Sequence, residues 1–288
     1  MSRTVLVVLT LLAMTAFAGN SLLCRMALKA TRIDAASFTV IRIVSGALVL
    51  WLIVRLRAMK AAAAGSWWSA LALFLYAGAF SFAYVTLPAG TGALLLFGAV
   101  QTTMIGYGLW SGERLRRRQA AGFVIAFGGL VGLLLPGLSA PPVEGAVLML
   151  VAGVAWGVYS LRGAGAGDPV CATAGNFLRA VPFAGALSLA MLPRAVLDSA
   201  GIGYAIASGA LASGLGYAVW YTTLRQIRTT TAATVQLSVP VIAAIGGIAF
   251  LGEQLTVRLL FASVAILGGI ALIIVDRRRA GPTLRQQR

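Results

Sequence analysis

The stretch Gly112-Glu113-Arg114-Leu115 returns 140 residues later as Gly252-Glu253-Gln254-Leu255. At the same offset Gly128-Gly129 matches Gly268-Gly269, and Thr91 with Ala93 matches Thr231 with Ala233. Each four-residue copy lies between two long apolar runs. Earlier in the chain, Phe17 and Ser21 pair with Trp156 and Ser160, and Arg42 pairs in position with Arg179. One offset held over two consecutive apolar segments marks an internal repeat, and internal repeats of this size are a hallmark of secondary transporters.

Working outward, the apolar runs predict helices near residues 4–29, 34–57, 66–86, 89–111, 118–136, 143–163, 170–193, 201–225, 230–251 and 257–276. Each is long enough to cross about 30 Å of hydrocarbon. The runs are apolar on consecutive positions, as spanning helices require, whereas a membrane β-barrel alternates apolar and polar residues. The expected fold is therefore an all-α membrane protein. Ten transmembrane helices form two inverted five-helix repeats around a central cavity. Because five is odd, the second copy enters the membrane upside down. The expected units are residues 1–140, residues 141–277 and a basic cytoplasmic tail at 278–288.

Composition agrees. Hydrophobic residues make up 60% of the chain and charged residues 10%, with a mean hydropathy of +0.93. A soluble domain carries about 25% charged residues. The net charge of +16 would suggest nucleic acid in a soluble protein. Here the basic residues fall almost entirely between apolar runs, so no nucleic-acid partner is expected. With a cytoplasmic N-terminus, 16 Lys and Arg side chains face the inside and four (Lys29, Arg32, Arg194 and Arg258) face the outside. That bias is what the positive-inside rule demands. It places the chain in a bacterial inner membrane with both termini cytoplasmic. Arg3 and the stretch Ala16-Phe17-Ala18 imitate a signal peptide. The apolar run continues to Leu28, so the reading is a first span that is not cleaved. Cys24 and Cys171 both fall in apolar runs and read as small core residues.

The five-helix unit, the G-E-x-L turn before each last helix and the Gly-Gly pair within that helix resemble the EamA repeats of the drug/metabolite transporter superfamily. The opening stretch, Asn20-Ser21-Leu22-Leu23-Cys24-Arg25 through Asp34, Phe38 and Arg42, resembles the YddG-type aromatic amino-acid exporters in particular. The resemblance implies efflux of amino acids or similar metabolites through a central cavity by alternating access.

Polar groups inside a bilayer are costly and need a reason. Asn20, Gln101 and Gln236 lie within predicted spans. Each could bind a zwitterionic substrate or simply hydrogen-bond a neighbouring helix. Arg42 lies about 12 Å into its helix at 1.5 Å per residue, too deep for easy snorkelling. It could hold a substrate carboxylate, or bond carbonyls as its counterpart Arg179 would. Arg25, nearer the outer surface, is expected to snorkel. Tyr76, Phe80 and Tyr84 share one face of the third helix. Trp156 and Tyr159 neighbour one another on the sixth, and Tyr217, Trp220 and Tyr221 cluster on the eighth. These rings suit a cavity for aromatic or large apolar side chains, or ordinary packing. The candidate substrate-binding set is Asn20, Arg42, Tyr76, Phe80, Tyr84, Gln101, Trp156, Tyr159, Tyr217 and Gln236. Trp67, Trp68 and Trp110 read as interfacial anchors. Pro182 and Pro240 are expected to kink the seventh and ninth helices. Gly128, Gly129, Gly132, Gly268 and Gly269 are expected at close helix contacts. Glu113 and Glu253 fall at turns, where a solvated carboxylate is normal, and read as structural parts of the G-E-x-L turns, not as catalytic groups.

The chain has no histidine, which removes H-E-x-x-H metalloprotease and Ser-His chemistry. No acidic residue lies deep in a span, so neither a two-aspartate protease nor a buried proton relay is evident. No phosphate-binding loop is present. The reading is a non-enzymatic transporter with no cofactor or metal, uncoupled from any ion gradient, which works as a monomer. Its partners are a small-molecule substrate and the lipid bilayer. Export or flipping of another metabolite or a lipid stands as the alternative, and an intramembrane enzyme as a remote one.

Overall fold

Short polar residues placed before the apolar runs open the helices. A computed structural model describes residues 2–57, 64–112, 116–135, 137, 140–163, 168–224, 226–227 and 235–279. Helix α1 is Arg3–Ala30 and α2 is Ala35–Leu56. Asp34 caps α2 by accepting the N–H groups of Ala36 and Ser37 at 3.0 and 2.9 Å. Helix α3, Trp67–Tyr84, is capped by Ser66, and α4 is Ala89–Trp110. Helices α5 and α6 are Arg117–Leu134 and Val143–Gly163. Helix α7, Pro169–Ala190, opens on Asp168, which accepts from Val170 and Cys171 as Asp34 does on α2. Such caps satisfy amide groups that have no partner inside the helix.

Helix α8 covers residues 199–224 in three segments. Ser199–Ile206 and Gly216–Leu224 are α-helical, and Ala207–Leu215 between them is a π-helix. Helix α9 is Ser238–Leu251 and α10 is Val257–Arg279. Among the described residues, eight segments are long and apolar enough to cross a membrane. They are α1 to α4, α6, α7, α8 and α10. Helix α9 is apolar but has 14 residues. The expected ninth span began at residue 230; residues 228–234 lie outside the described residues. Helix α5, which begins with Arg117 and Arg118, is not among the eight.

The two G-E-x-L turns share a backbone device. Gly112 and Gly252 both take left-handed conformations, at φ +88° and +62°. A residue with a β-carbon is strained there, and glycine ends a helix this way cheaply. Glu113 lies outside the described residues. Glu253 is described, and its part is structural as expected, though it is buried and not solvated. Its side chain is 8% exposed and accepts the amide N–H of Ala89 at 2.8 Å, capping α4. It also pairs with Arg25 at 3.3 Å. Arg25 therefore does not snorkel. It is buried and also donates to the Tyr84 and Val85 carbonyls at 2.9 Å each. One charge pair thus joins α1, the end of α3, the start of α4 and the turn before α10.

Packing interleaves the two halves of the chain. Helix α6 lies against α3 and α4, α7 against α2 and α3, and α9 against α1 and α4. The π-segment of α8 lies against α2 and α1. Helices α5 and α10 pair along their length. Of the glycines expected there, Gly129 and Gly269 do face the partner helix, joined by Gly122. Gly128, Gly132 and Gly268 face open space instead. Pro182 lies inside a continuous α7. Pro240 sits in the first turn of α9, where a missing N–H costs little, and a turn at Leu237 separates helical residues 235–236 from α9, the interruption expected there. Trp67, Trp68 and Trp110 are exposed at helix ends.

Candidate substrate site

Arg42 sits in the middle of α2, 2% exposed. Close packing holds its backbone in place. A β-carbon on Gly209 of the π-segment would collide with the Arg42 carbonyl and with Ser45. The guanidinium reaches across to α3. Nη2 donates to the Tyr76 hydroxyl at 3.1 Å. The guanidinium carbon lies 5.2 Å from the Tyr76 ring centre and 4.9 Å from that of Phe80. Both distances fall within cation–π range. Nη1 is buried and has no hydrogen-bond partner.

Around this cation the rings close in from both halves of the chain. Tyr76 and Phe80 are one turn apart on α3, with centres 5.4 Å apart. Trp156 of α6 lies 4.8 Å from Tyr76, 5.3 Å from Tyr159 and 5.2 Å from Tyr217 of α8. Phe17 of α1 and Phe177 of α7 meet Tyr217 edge-on at 5.8 and 6.0 Å. These are direct ring contacts. Asn20 joins the group on its polar side. It donates to the Tyr76 hydroxyl at 3.3 Å and accepts from Ser208 of the π-segment at 2.6 Å. Tyr159 accepts from Asn176 at 3.4 Å.

Seven of the expected residues are thus brought together: Asn20, Arg42, Tyr76, Phe80, Trp156, Tyr159 and Tyr217. Tyr84 lies at the margin. Its ring touches Phe80 at 4.7 Å, and its hydroxyl donates to the Ala89 carbonyl at 3.3 Å, so it ties α3 to α4. Gln101 and Gln236 are half-buried and join neither the rings nor Arg42. Gln101 is eleven residues beyond Gly90, three turns along α4, so both lie on nearly the same face. Gly90 abuts Ala244 of α9. Arg179 does not share the role of Arg42. It is half-buried and donates to the carbonyls of Ala64 and Gly175 at 2.7 and 3.0 Å.

Ser208, Asn176, Phe17 and Phe177 were not expected in the site. Phe17 carried a signal, because the repeat pairs it with Trp156 and both contact Tyr217. Ser208 carried none: its place depends on the π-helical register. Among the described residues no acidic side chain touches the cluster, and none form a group of His, Cys, Asp or Glu able to hold a metal ion.

The EamA-like transporter family model matches residues 143–275. An uncharacterized Pseudomonas aeruginosa protein is 59% identical over 276 residues, 96% of each chain. The chain belongs to the EamA-like transporter family. An uncharacterized transporter of Archaeoglobus fulgidus is 27% identical over 173 residues, 57% of this chain and 60% of that one. A solved crystal structure with 18% sequence identity covers 98% of this chain and 100% of that one at a TM-score of 0.69. That likeness extends to the fold alone. As an EamA-like transporter, the protein is a multi-pass membrane protein of the drug/metabolite transporter superfamily.

Proposed function

We propose that this EamA-like transporter exports aromatic or large neutral amino acids, or similar small metabolites, by alternating access through the Arg42 cluster. The observation that carries the reading is a guanidinium buried mid-helix among aromatic rings, with one nitrogen unpartnered and no carboxylate beside it. A buried cation without a counter-ion is expensive, and a substrate carboxylate is the natural partner. The rings supply an apolar wall for the rest of the substrate. In the conformation described they touch one another, so loading requires α6 and α8 to part from α3.

The two inverted units, residues 1–140 and 141–277, are the bodies that would rock. The proposed setting is a bacterial inner membrane, with ten spans, both termini cytoplasmic, and a monomer as the working unit. The absence of acidic residues from the middle of the spans supports an uncoupled mechanism.

The test is uptake of radiolabelled phenylalanine into liposomes holding the purified protein, with and without a proton gradient. Saturable uptake unchanged by the gradient is expected. Arg42→Gln should cut uptake at least about tenfold, the cost of losing a charge-assisted hydrogen bond, with membrane insertion intact. Uptake of no amino acid at all would overturn the reading.

A further inference from the structure

Hydrogen bonds in the cluster leave strong donors unspent, while its acceptors are neutral oxygens and part of their capacity is taken. An arginine can only donate, so the Tyr76 oxygen accepts from Arg42 Nη2. The same oxygen accepts from Asn20 Nδ2. Tyr76 therefore keeps its own proton to give. Arg42 Nη1, on the same guanidinium fork, has no acceptor. The Tyr217 hydroxyl makes no hydrogen bond among the described residues. The oxygens tell the opposite story. Asn20 Oδ1 already accepts from Ser208, and the Tyr159 hydroxyl already accepts from Asn176. No Asp or Glu among the described residues reaches the cluster.

We infer that the site recognises an aromatic monocarboxylate by its carboxylate alone, and that an α-amino group contributes nothing to binding. The inference rests on reading the Arg42 cluster as the substrate site. A carboxylate is an acceptor-only group with about four lone-pair positions. It can take Arg42 Nη1 on one oxygen and the Tyr76 proton on the same or the other, while its ring lies between Tyr76 and the Trp156–Tyr217 pair once α6 and α8 have parted from α3. An ammonium group has three donors and no acceptor. It would find no carboxylate among the described residues to pair with, only neutral oxygens that Ser208 and Asn176 already share, and a like charge, Arg42, next to it. The substrate class is therefore aryl-alkanoic acids, with aromatic amino acids as members that carry an unused amine.

The experiment is calorimetric titration of the purified, detergent-solubilised protein. Binding is measured so that passive leak of weak acids across a bilayer plays no part. The probes are phenylalanine, 3-phenylpropionate and phenethylamine. The expected result is that 3-phenylpropionate binds as tightly as phenylalanine or more tightly. Phenethylamine should bind at least about tenfold more weakly, the scale of one lost charge-assisted hydrogen bond. Tyr76→Phe should weaken 3-phenylpropionate several-fold and leave phenethylamine unchanged. Binding of 3-phenylpropionate more than about tenfold below phenylalanine, or phenethylamine equal to phenylalanine, overturns the inference while the exporter reading stands. Binding of none of the three, with no transport, overturns both. The ligand ranking on the unmodified protein decides the matter even if Tyr76→Phe fails to fold.

Discussion

Arg42 and Arg179 occupy similar places in the two halves of the chain, yet they do different work. Arg179 spends its guanidinium on two backbone carbonyls, that of Ala64 just before α3 and that of Gly175 one turn back on its own helix. Arg42 gives one bond to a tyrosine and keeps a nitrogen in reserve. The pair should separate under mutation. Arg42→Lys keeps the charge but loses the planar fork that bonds Tyr76 and a ligand together. It should lose binding of carboxylate ligands at least about tenfold at unchanged thermal stability. Arg179→Gln should lower the melting temperature and leave ligand affinity within about twofold, since its partners are structural. Equal affinity losses in both variants would mean that the two arginines act together. The importance of Arg42 was legible from its depth alone, because a cation so far inside a span needs a reason. The role of Arg25 was not. Its partner Glu253 lies 228 residues away, and only the fold brings a turn of the second half onto the first helix.

At the scale of elements, periodicity and breakers located most helix ends within a few residues, because caps such as Asp34, Ser66, Asp168 and Asp198 are local chemistry. The π-segment of α8 was invisible, because residues 207–215 carry an ordinary apolar pattern and differ only in being small. Their smallness is what lets Gly209 press on the Arg42 carbonyl and what carries Ser208 to Asn20. Wider helical turns of this kind recur at functional sites. Asp34 offers a test of how such elements are tied together. Its second carboxylate oxygen accepts the N–H of Val196, just before α8, at 2.9 Å, while its own N–H donates to the Val196 carbonyl. Partial burial pushes the Asp34 pKa up. Hydrogen bonds from Ser37, Val196 and Ala36 outweigh burial and hold it below the ordinary aspartate value. A lowered pKa stabilises the fold only while the group is ionised. The contribution is complete above about pH 4, the unfolded value, and fades as the pH falls through the lower folded value. Asp34→Asn keeps an acceptor for the helix cap and puts an amide donor where Val196 needs an acceptor. It should cost about 1 kcal/mol at pH 7, the scale of a lost cap, and remove this part of the acid sensitivity. Thermal unfolding of both proteins between pH 3 and 7 checks it. A variant as stable as the parent at pH 7 would sink the idea.

For the whole molecule, the repeat and the charge asymmetry were legible in the sequence because both are written along the chain without reference to contacts. The exact number of spans was less so, since α5 opens on two arginines and α9 is short. Charge makes the span count testable. If ten segments cross, the turns at Arg116 and Arg194 must lie on opposite sides, because three full crossings separate them. Moving one segment out of the membrane puts them on the same side. Both residues are described and exposed. The native Cys24 and Cys171 are buried and can be replaced by Ala, which fits such sites. Single cysteines at Arg116→Cys and Arg194→Cys should then respond differently to a membrane-impermeant maleimide added to intact spheroplasts. The cysteine at 194 should be labelled at once, and the one at 116 only after permeabilisation. The reverse pattern would place the N-terminus outside, against an excess of sixteen basic residues to four. Labelling of both from one side would mean that one of α5, α6 and α7 does not cross. The inverted arrangement would fail with it, since five crossings per unit are what turn the second copy over.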